Sequence, residues 1–562
     1  MACPEPGRGA RAEPRRGVAD LIVRRLRAAG VRTLFGVPGG GGNLDVIAAA
    51  GAAGLPFVLT ATETAGAIAA LAQTEVTGEL GACLTTLGPG AASVVNGVAC
   101  AFLDRAPIVV LTDSHAADGA AHTTSPFEHQ RLNHGALLKP VTKSSETLTA
   151  ENALQALTRA VHTATDGRPG PVHLDCPGDV ASASTPADTA TLLGTVRSTL
   201  PSSDRARFEA LVGRARKPLL LAGLGARRSE DAAAIRGLSE RHRVPVMVTY
   251  KAKGVVPDDH PWFAGVFTNA AIEQPLIDDS DLLIGLGLDP VELIPRTWQR
   301  KQPIVYCGRW RVETSHVPFA VQWLTDVPGA AQAIETLLPS SGWDPDRVRQ
   351  HVEEQRRRID VPACPERASA RRGADGLSAQ RVVRIAAARL APVAGRVTVD
   401  AGAHMFPATM LWPVGRPNGM LISNGLSTMG FAVPAAIGAA LVDRDRPVVA
   451  LTGDGGLLMC VGELLTAVRE GLRIITIVFS DASLSLIEIK QQARRLAPAG
   501  VSLGAIDWPA LARSFGAASW VATSDAELER ALEAAHACAG PSLVEAKIDR
   551  SNYGATLRAV RG

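Results

Sequence analysis

Two acidic residues stand where acids are least expected. The stretch "LTGDGGLLM" at 451–459 follows the apolar run "PVVAL" and leads into a helix-like segment. Glycine-rich turns between a strand and a helix attract anions through backbone N–H groups and the helix N-terminus. At the centre of this turn, however, is Asp454. The next strand-like run, "RIITIVFS", ends at Ser480 and is followed at once by Asp481. One helix, in "CVGELLTAVREGL", separates the two runs. A strand–helix–strand crossover of this length brings its two strand ends close together, so Asp454 and Asp481 are expected to converge above a sheet. Two hard oxygen ligands beside a glycine turn suit Mg2+, which commonly shares its sites with phosphate groups. Either acid alone would also serve as a helix N-cap. The pair together with "GDGG" favours the metal.

A third acid is isolated in a different way. Glu63 is the only charged residue between Pro56 and Glu75, where an apolar strand gives way to the very apolar segment "TAGAIAALA". From these residues alone it is a first-turn acid favoured by the helix dipole. His115, His122, His129 and His134 cluster in one later region and could supply acid–base chemistry, since imidazole titrates near neutral pH.

The elements that must position these groups are legible as β-branched runs alternating with helical patterns. Strands are expected near "TLFGV", "FVLT", "GACLTT", "PIVVLT" and "PVHLD", with helices near 17–30, 64–77, 91–103 and 151–165. A second set lies near "PLLLAG", "VPVMVT", "DLLIGLG" and "PIVYCG", and a third near "VTVD", "MLIS", "PVVALT", "IITIVFS" and "SLVEAKI". This pattern predicts an α/β chain of three doubly wound parallel-sheet domains, over 17–185, 200–340 and 375–562. Residues 1–16 read as a disordered tail. Residues 184–203 and the charged, Pro-bearing stretch 340–376 read as linkers.

The bulk composition of the 562 residues narrows the function classes. A formal net charge of +3, with no basic run interleaved with aromatics, argues against nucleic acid as a partner. The longest apolar stretch, "GLSTMGFAVPAAIGAALV", holds Gly, Ser, Thr and Pro and is expected to be a loop and a buried helix, not a membrane span. Eight scattered cysteines without a CxxC pair are expected as free thiols in a reducing, cytoplasmic setting.

GDG at 453–455, a spacer of 24 residues and Ser480–Asp481 resemble the cofactor motif of thiamine diphosphate-dependent enzymes. Ser480–Asp481 stands where that family usually has Asn–Asn. The order of "LFGVPGG", "LGPGAAS", "GPVHLDCPGDV", "DAGAH" and "NGLSTMGFAVPAAIGAAL" agrees with the resemblance. It extends over nearly the whole chain, with pyrimidine-binding, central and diphosphate-binding domains in that order. By this resemblance the metal ligands are Asp454, Asp481 and the backbone carbonyl of Ser483. Glu63 is the cofactor-activating acid, preceded here by Thr62 where His is usual. Pro38, Gly39, Gly88, Gly402, His404, Ser427, Gly453, Gly455, Gly456 and Leu486 border the cofactor, and Met429 is the apolar wedge that bends it.

Within the family, "SLSLIEIKQQ" and "HQRLNHGALLKPVTK" are most similar to the acetolactate synthase branch, with Gln130 and His129 beside the reactive carbon. The resemblance implies decarboxylation of a 2-oxo acid and carboligation to a second carbonyl, in a homodimer or homotetramer with active sites at the subunit interface. The alternatives are a simple decarboxylase giving an aldehyde, a flavin-dependent oxidase of the same family, or a non-catalytic paralogue. Leu288 and Lys490 stand at positions where the biosynthetic branch has Arg and Trp. FAD remains an open cofactor, because "AGLGARR" at 222–228 lacks the third glycine of a dinucleotide fingerprint. We predict that Glu63→Gln abolishes 2-oxo acid turnover while diphosphate binding persists; full turnover in that variant would remove Glu63 from the chemistry.

Overall fold

The computed structural model describes residues 17–115, 128–184, 202–313, 316–360 and 377–561. The expected N-terminal tail, His122 and most of the 184–203 linker lie outside them.

Three six-stranded sheets follow one another along the chain, all parallel. The first holds β1 (Leu34–Val37), β2 (Phe57–Leu59), β3 (Gly81–Thr85), β4 (Ile108–Ser114), β5 (Ser145–Thr147) and β6 (Val172–Pro177), in the order β2-β1-β3-β4-β6-β5. The second holds β7 (Pro218–Ala222), β8 (Val246–Val248), β9 (Phe263–Val266), β10 (Leu282–Leu286), β11 (Ile304–Gly308) and β12 (Phe319–Leu324), in the order β12-β11-β10-β7-β8-β9. The third holds β13 (Arg396–Val399), β14 (Met420–Ile422), β15 (Val448–Gly453), β16 (Ile474–Ser480), β17 (Ala518–Ala522) and β18 (Ser542–Lys547), in the order β14-β13-β15-β16-β18-β17. Counted within each sheet, the first and third share one winding. The middle sheet has the winding common in dinucleotide-binding proteins. The outer sheets thus repeat an architecture that no sequence repeat announces.

The outer units pack on each other through two apolar helices. The helix Glu63–Thr77 is buried from Ala65 to Glu75, and the helix Ala432–Ala440 is buried throughout. Such small-residue sequences let backbones approach closely. A Cβ at Gly438 would lie 2.1 Å from the carbonyl oxygen of Ala69, so only glycine fits this crossing. The apolar stretch that includes this helix is therefore a loop and a buried helix, as its composition predicts. Among the described residues no helix is long and apolar enough to cross a membrane. Six cysteines among them are free, five of these buried.

All three units meet at a buried cation. Lys251 Nζ, 1% exposed, lies 2.7 Å from Glu75 and 3.0 Å from Asp104, both in the first unit. It also donates to the Ile422 carbonyl of the third unit at 2.9 Å. Arg227 adds a second contact to Glu75 at 3.1 Å, and Arg105 pairs with Asp289 at 2.8 Å. The stretch expected as a linker at 340–376 contains the helix Pro345–Ile359, N-capped by Asp344. Its arginines pair along the exposed face while Val348, Val352 and Ile359 are buried. Removing one member of a buried charge cluster leaves the others without compensation, a loss of about 3–5 kcal/mol. Lys251→Met is accordingly expected to lower the thermal midpoint markedly; an unchanged midpoint would mean that the junction contributes little.

Candidate functional site

Strands β15 and β16 are direct neighbours, with Gly453 opposite Phe479. Their carboxyl ends carry Asp454, first residue of the helix Asp454–Cys460, and Asp481. Asp454 Oδ2 accepts hydrogen bonds from the amides of Asp481 (3.0 Å) and Ala482 (2.6 Å), and Oδ1 from Gly455 (2.8 Å). Asp481 Oδ1 accepts from the Ser483 amide at 3.0 Å, and Oδ2 from the Ser485 hydroxyl at 2.6 Å. Ala482 turns the loop with φ +57, a left-handed conformation that costs an alanine about 1–2 kcal/mol. Ser485 thus secures the second acid.

Both carboxyls are pushed upward. Burial raises Asp454, against the pull of its three amides. Burial, and after it the Asp454 charge, lifts Asp481 to about 6 against the Ser485 hydrogen bond. No lysine or arginine forms an ion pair with either acid among the described residues. A buried and a half-buried carboxylate side by side, without a direct ion pair to a base, fit a divalent cation. Among the described residues there is no cluster of three or more His, Cys, Asp or Glu side chains, so the donors here would be two carboxylates and the Ser483 carbonyl. Ser483 is held by its hydroxyl on Glu488 (2.8 Å), which Arg550 meets at 2.6 Å.

Around this pair the expected cofactor-binding residues assemble. A Cβ on Gly455 would lie 2.6 Å from Leu484 and 3.3 Å from the Met429 methyl, so Met429 overhangs the glycine turn. Ser427 beside it is exposed and left-handed at φ +55. Leu486 is half-buried and packs on the core of the third unit. Gly402 and Gly453 both border the ring of His404, which stacks on Phe479 at 5.0 Å. Burial lowers His404 to about 4, and its Nε2 is buried without a partner. With the ring neutral and its one N–H directed at the Leu451 carbonyl, Nε2 is left as an unused acceptor beside the glycine turn.

One residue of this cluster carried a signal that went unused. Asp400 opens "DAGAH" and is fully buried, lifted to about 6 by burial. It accepts from the Thr452 hydroxyl at 2.9 Å and from the amides of Ala401, Gly430 and Phe431. It thereby ties the ends of β13 and β15 to the Met429 loop. A Cβ on Gly456 would lie 2.3 Å from its carboxylate.

The first unit builds a second cluster. Thr62, where the family has His, is the N-cap of the Glu63 helix, its hydroxyl accepting from the Ala65 amide at 3.2 Å. Glu63 Oε1 faces the turn after β3, 3.2 Å from where a Cβ on Gly90 would stand. Gly88 has φ +59, and a Cβ there would meet Gln130, itself left-handed at φ +56. Gly39 packs on Thr86, and Pro38 beside it is exposed. His129 is exposed, and its carbonyl accepts from His115 Nε2 at 2.8 Å. His134 is structural: it is buried, accepts from the Gly88 amide at 3.1 Å, and meets Asp175 at 3.1 Å through its other nitrogen. Neither nitrogen is left for acid–base work.

Among the described residues no hydrogen bond joins Glu63 to Asp454 or Asp481. One link between the two clusters is Glu463, the only charged residue between Asp454 and Arg469. Its Oε1 accepts from the amides of Ala61 (2.9 Å) and Thr62 (3.2 Å), and burial lifts it to about 7. An isolated acid in an apolar helix is the same signal that singled out Glu63.

The middle unit does not fit a flavin dinucleotide at its topological switch point. The amide of Leu224, in the turn after β7, already donates to Glu292 Oε2 at 2.8 Å. Gly225 donates to the Gly287 carbonyl at 2.9 Å, and Trp310 lies against Gly225. The crevice between β7 and β10, where a pyrophosphate would rest, is filled by the chain's own loop.

The Asp481 shift has a measurable sign. A carboxyl raised in the folded state binds protons there that the unfolded chain does not, so stability falls as pH rises from about 4 to about 6. Asp481→Asn is therefore expected to stabilise the metal-free protein above pH 6, by on the order of 2 kcal/mol, and to have little effect near pH 4. Thermal midpoints across that range check this; destabilisation at high pH would contradict it.

Comparison with known proteins matches residues 16–134, 206–334 and 400–546 to the N-terminal, central and C-terminal domains of thiamine pyrophosphate enzymes. The chain is 31% identical to the catabolic acetolactate synthase of Raoultella terrigena, over 94% of this chain and 95% of that one. It is 29% identical to the acetolactate synthase of Bacillus subtilis, over 95% and 93%. It is also 29% identical to a probable 2-ketoarginine decarboxylase of Pseudomonas aeruginosa, over 94% and 93%. A thiamine diphosphate-dependent 4-hydroxybenzoylformate decarboxylase of Rhodococcus jostii shares the fold, with TM-score 0.79 at 20% identity, covering 95% of this chain and 99% of that one. With all three domains present in order and a relative of this similarity spanning nearly its whole length, the chain belongs to the thiamine pyrophosphate enzymes and is of acetolactate synthase-like type.

Proposed function

We propose that the protein decarboxylates a 2-oxo acid and joins the remaining fragment to a second carbonyl compound, using thiamine diphosphate and Mg2+. The observation that carries this reading is the facing pair Asp454 and Asp481, raised by burial and without a direct ion pair to a base, beside a turn bordered by Met429, Leu484 and Leu503. Thiamine diphosphate, when bound, supplies the electron sink for loss of carbon dioxide. Asp454, Asp481 and the Ser483 carbonyl would hold Mg2+. Gly402, His404, Gly453, Gly455 and Gly456 would surround the diphosphate, with Pro38, Gly39, Gly88, Ser427 and Leu486 lining the rest of the cofactor site and Met429 as its wedge. Glu63 Oε1 would hold the proton shared with a ring nitrogen. Gln130 and His129, on the exposed turn beside Gly88, would face the second substrate.

The simple decarboxylase remains the second reading, because a relative of nearly the same similarity is named for that activity. The filled crevice of the middle unit argues against a flavin-dependent oxidase. The free cysteines support a reducing, cytoplasmic setting. The exposed Leu458, Met459 and Leu465 just after Asp454 support a dimer or tetramer. In it Glu63 of one subunit would work with Asp454 of the partner subunit.

Two measurements test this reading. Incubation with thiamine diphosphate, Mg2+ and a panel of 2-oxo acids should release carbon dioxide and give a product longer than the aldehyde; aldehyde alone would select the second reading. Glu63→Gln and Asp454→Asn should each be inactive. Unfolded and refolded together in equal amounts, they should recover roughly a quarter of wild-type activity, because half the mixed dimers' sites would be intact. No recovery would place both residues in one chain's site.

A further inference from the structure

A cavity of about 350 Å³ lies away from both clusters, between the loops that follow β9 and β10. Asn269, Gln274, Arg296, Gln299 and Arg300 line it. A second lobe of about 280 Å³ shares Asn269 and Arg296 and reaches Arg561, at the end of the helix Tyr553–Arg561. Residues 293–302, "LIPRTWQRKQ", hold three basic residues and no acid.

The guanidinium groups here are incompletely matched. The Arg300 side chain is 5% exposed, yet its Nε has no partner. Its Nη2 donates to the Ala270 carbonyl at 2.7 Å, and the nearest carboxylate, Glu273, is 3.7 Å away. Glu273 is already engaged by the Thr268 amide and hydroxyl and by the Ala270 amide. Asp278, the other nearby acid, accepts from Gln274 at 2.5 Å. Among the described residues the Arg296 side chain donates to the Arg561 carbonyl at 3.1 Å, and Arg561 Nε, in a guanidinium lying 5.6 Å over the Phe406 ring, is also buried without a partner. A buried donor without an acceptor costs about 1–3 kcal/mol, and two such guanidinium nitrogens in adjoining lobes indicate a missing acceptor. Guanidinium forks match phosphate oxygens, and the surrounding amides suit a hydroxylated body.

We propose that this cavity binds a small phosphate ester, held by Arg296 and Arg300 and closed by Arg561. The site does not depend on the reaction proposed above. It does connect to it physically, because the helix ending at Arg561 begins at Tyr553, a buried residue electrostatically close to Asp454 and Asp481.

Calorimetric titration of the protein, with thiamine diphosphate and Mg2+ at saturation, uses glucose 6-phosphate and inorganic phosphate as probes. Glucose 6-phosphate should bind saturably at one site per chain, and inorganic phosphate should compete. Arg300→Gln and the surface variant Arg296→Glu should each weaken binding at least about tenfold while leaving cofactor affinity unchanged. Equal affinity for the two probes would assign the site to phosphate alone. Absence of saturable binding by either probe, or binding that survives both substitutions, would overturn the proposal. Cofactor affinity is read independently, so failure here is distinct from failure of the catalytic reading.

Discussion

Two carboxylates held at the ends of adjacent parallel strands set the terms for the rest of this structure. Parallel pairing of β15 with β16 brings Asp454 and Asp481 together across the two short helices Asp454–Cys460 and Glu463–Arg469, where one was expected. The Asp454 carboxylate then fixes the following loop by taking the amides of residues 481 and 482. The left-handed backbone at Ala482 persists because those bonds over-determine it. Among the described residues no lysine or arginine pairs directly with either acid; Arg550, paired with Glu488, acts on Asp481 only from a distance. An arrangement that buries one acid and half-buries the other without a direct ion pair is unfavourable by itself and becomes favourable with a divalent cation between them. Asp400 and His404 extend the same logic, since buried polar groups are gathered around one glycine turn.

The units are held in place by polar as well as apolar contacts. Lys251 bridges all three, and Glu463 anchors the start of the Glu63 helix to the third unit. The close crossing at Gly438 sets the distance between the outer units. The first and third units share a winding, and each carries one of the two residue clusters at the carboxyl ends of its strands. The middle unit keeps the dinucleotide winding but fills its crevice with Glu292 and Trp310. A fold can thus retain its topology while its own side chains replace a ligand.

How much was legible in the sequence follows from burial. Fully buried central strands such as β3, β10 and β15 are continuous apolar runs and were found. The four strands not anticipated, β5, β9, β12 and β17, all lie at sheet edges. There a strand such as "SET" is too short and polar, and "FAVQWL" too mixed, to stand out. The helix at 345–359 read as a linker because its charges face outward and only a narrow stripe is buried. Asp454 and Asp481 were legible because strand alternation alone brings them together. The role of His134 was not, since nothing local shows that its ring caps the Gly88 turn. Thr62 in place of His became intelligible only as a helix cap.

The central claim is that the acid pair holds a divalent ion which in turn holds the cofactor's diphosphate. Calorimetric titration of thiamine diphosphate into wild-type protein and Asp454→Asn, each with Mg2+ and with a chelator, tests it most directly. The account predicts tight binding only for wild type with Mg2+, weakened at least about tenfold by either change. Equal affinity in all four titrations would contradict it.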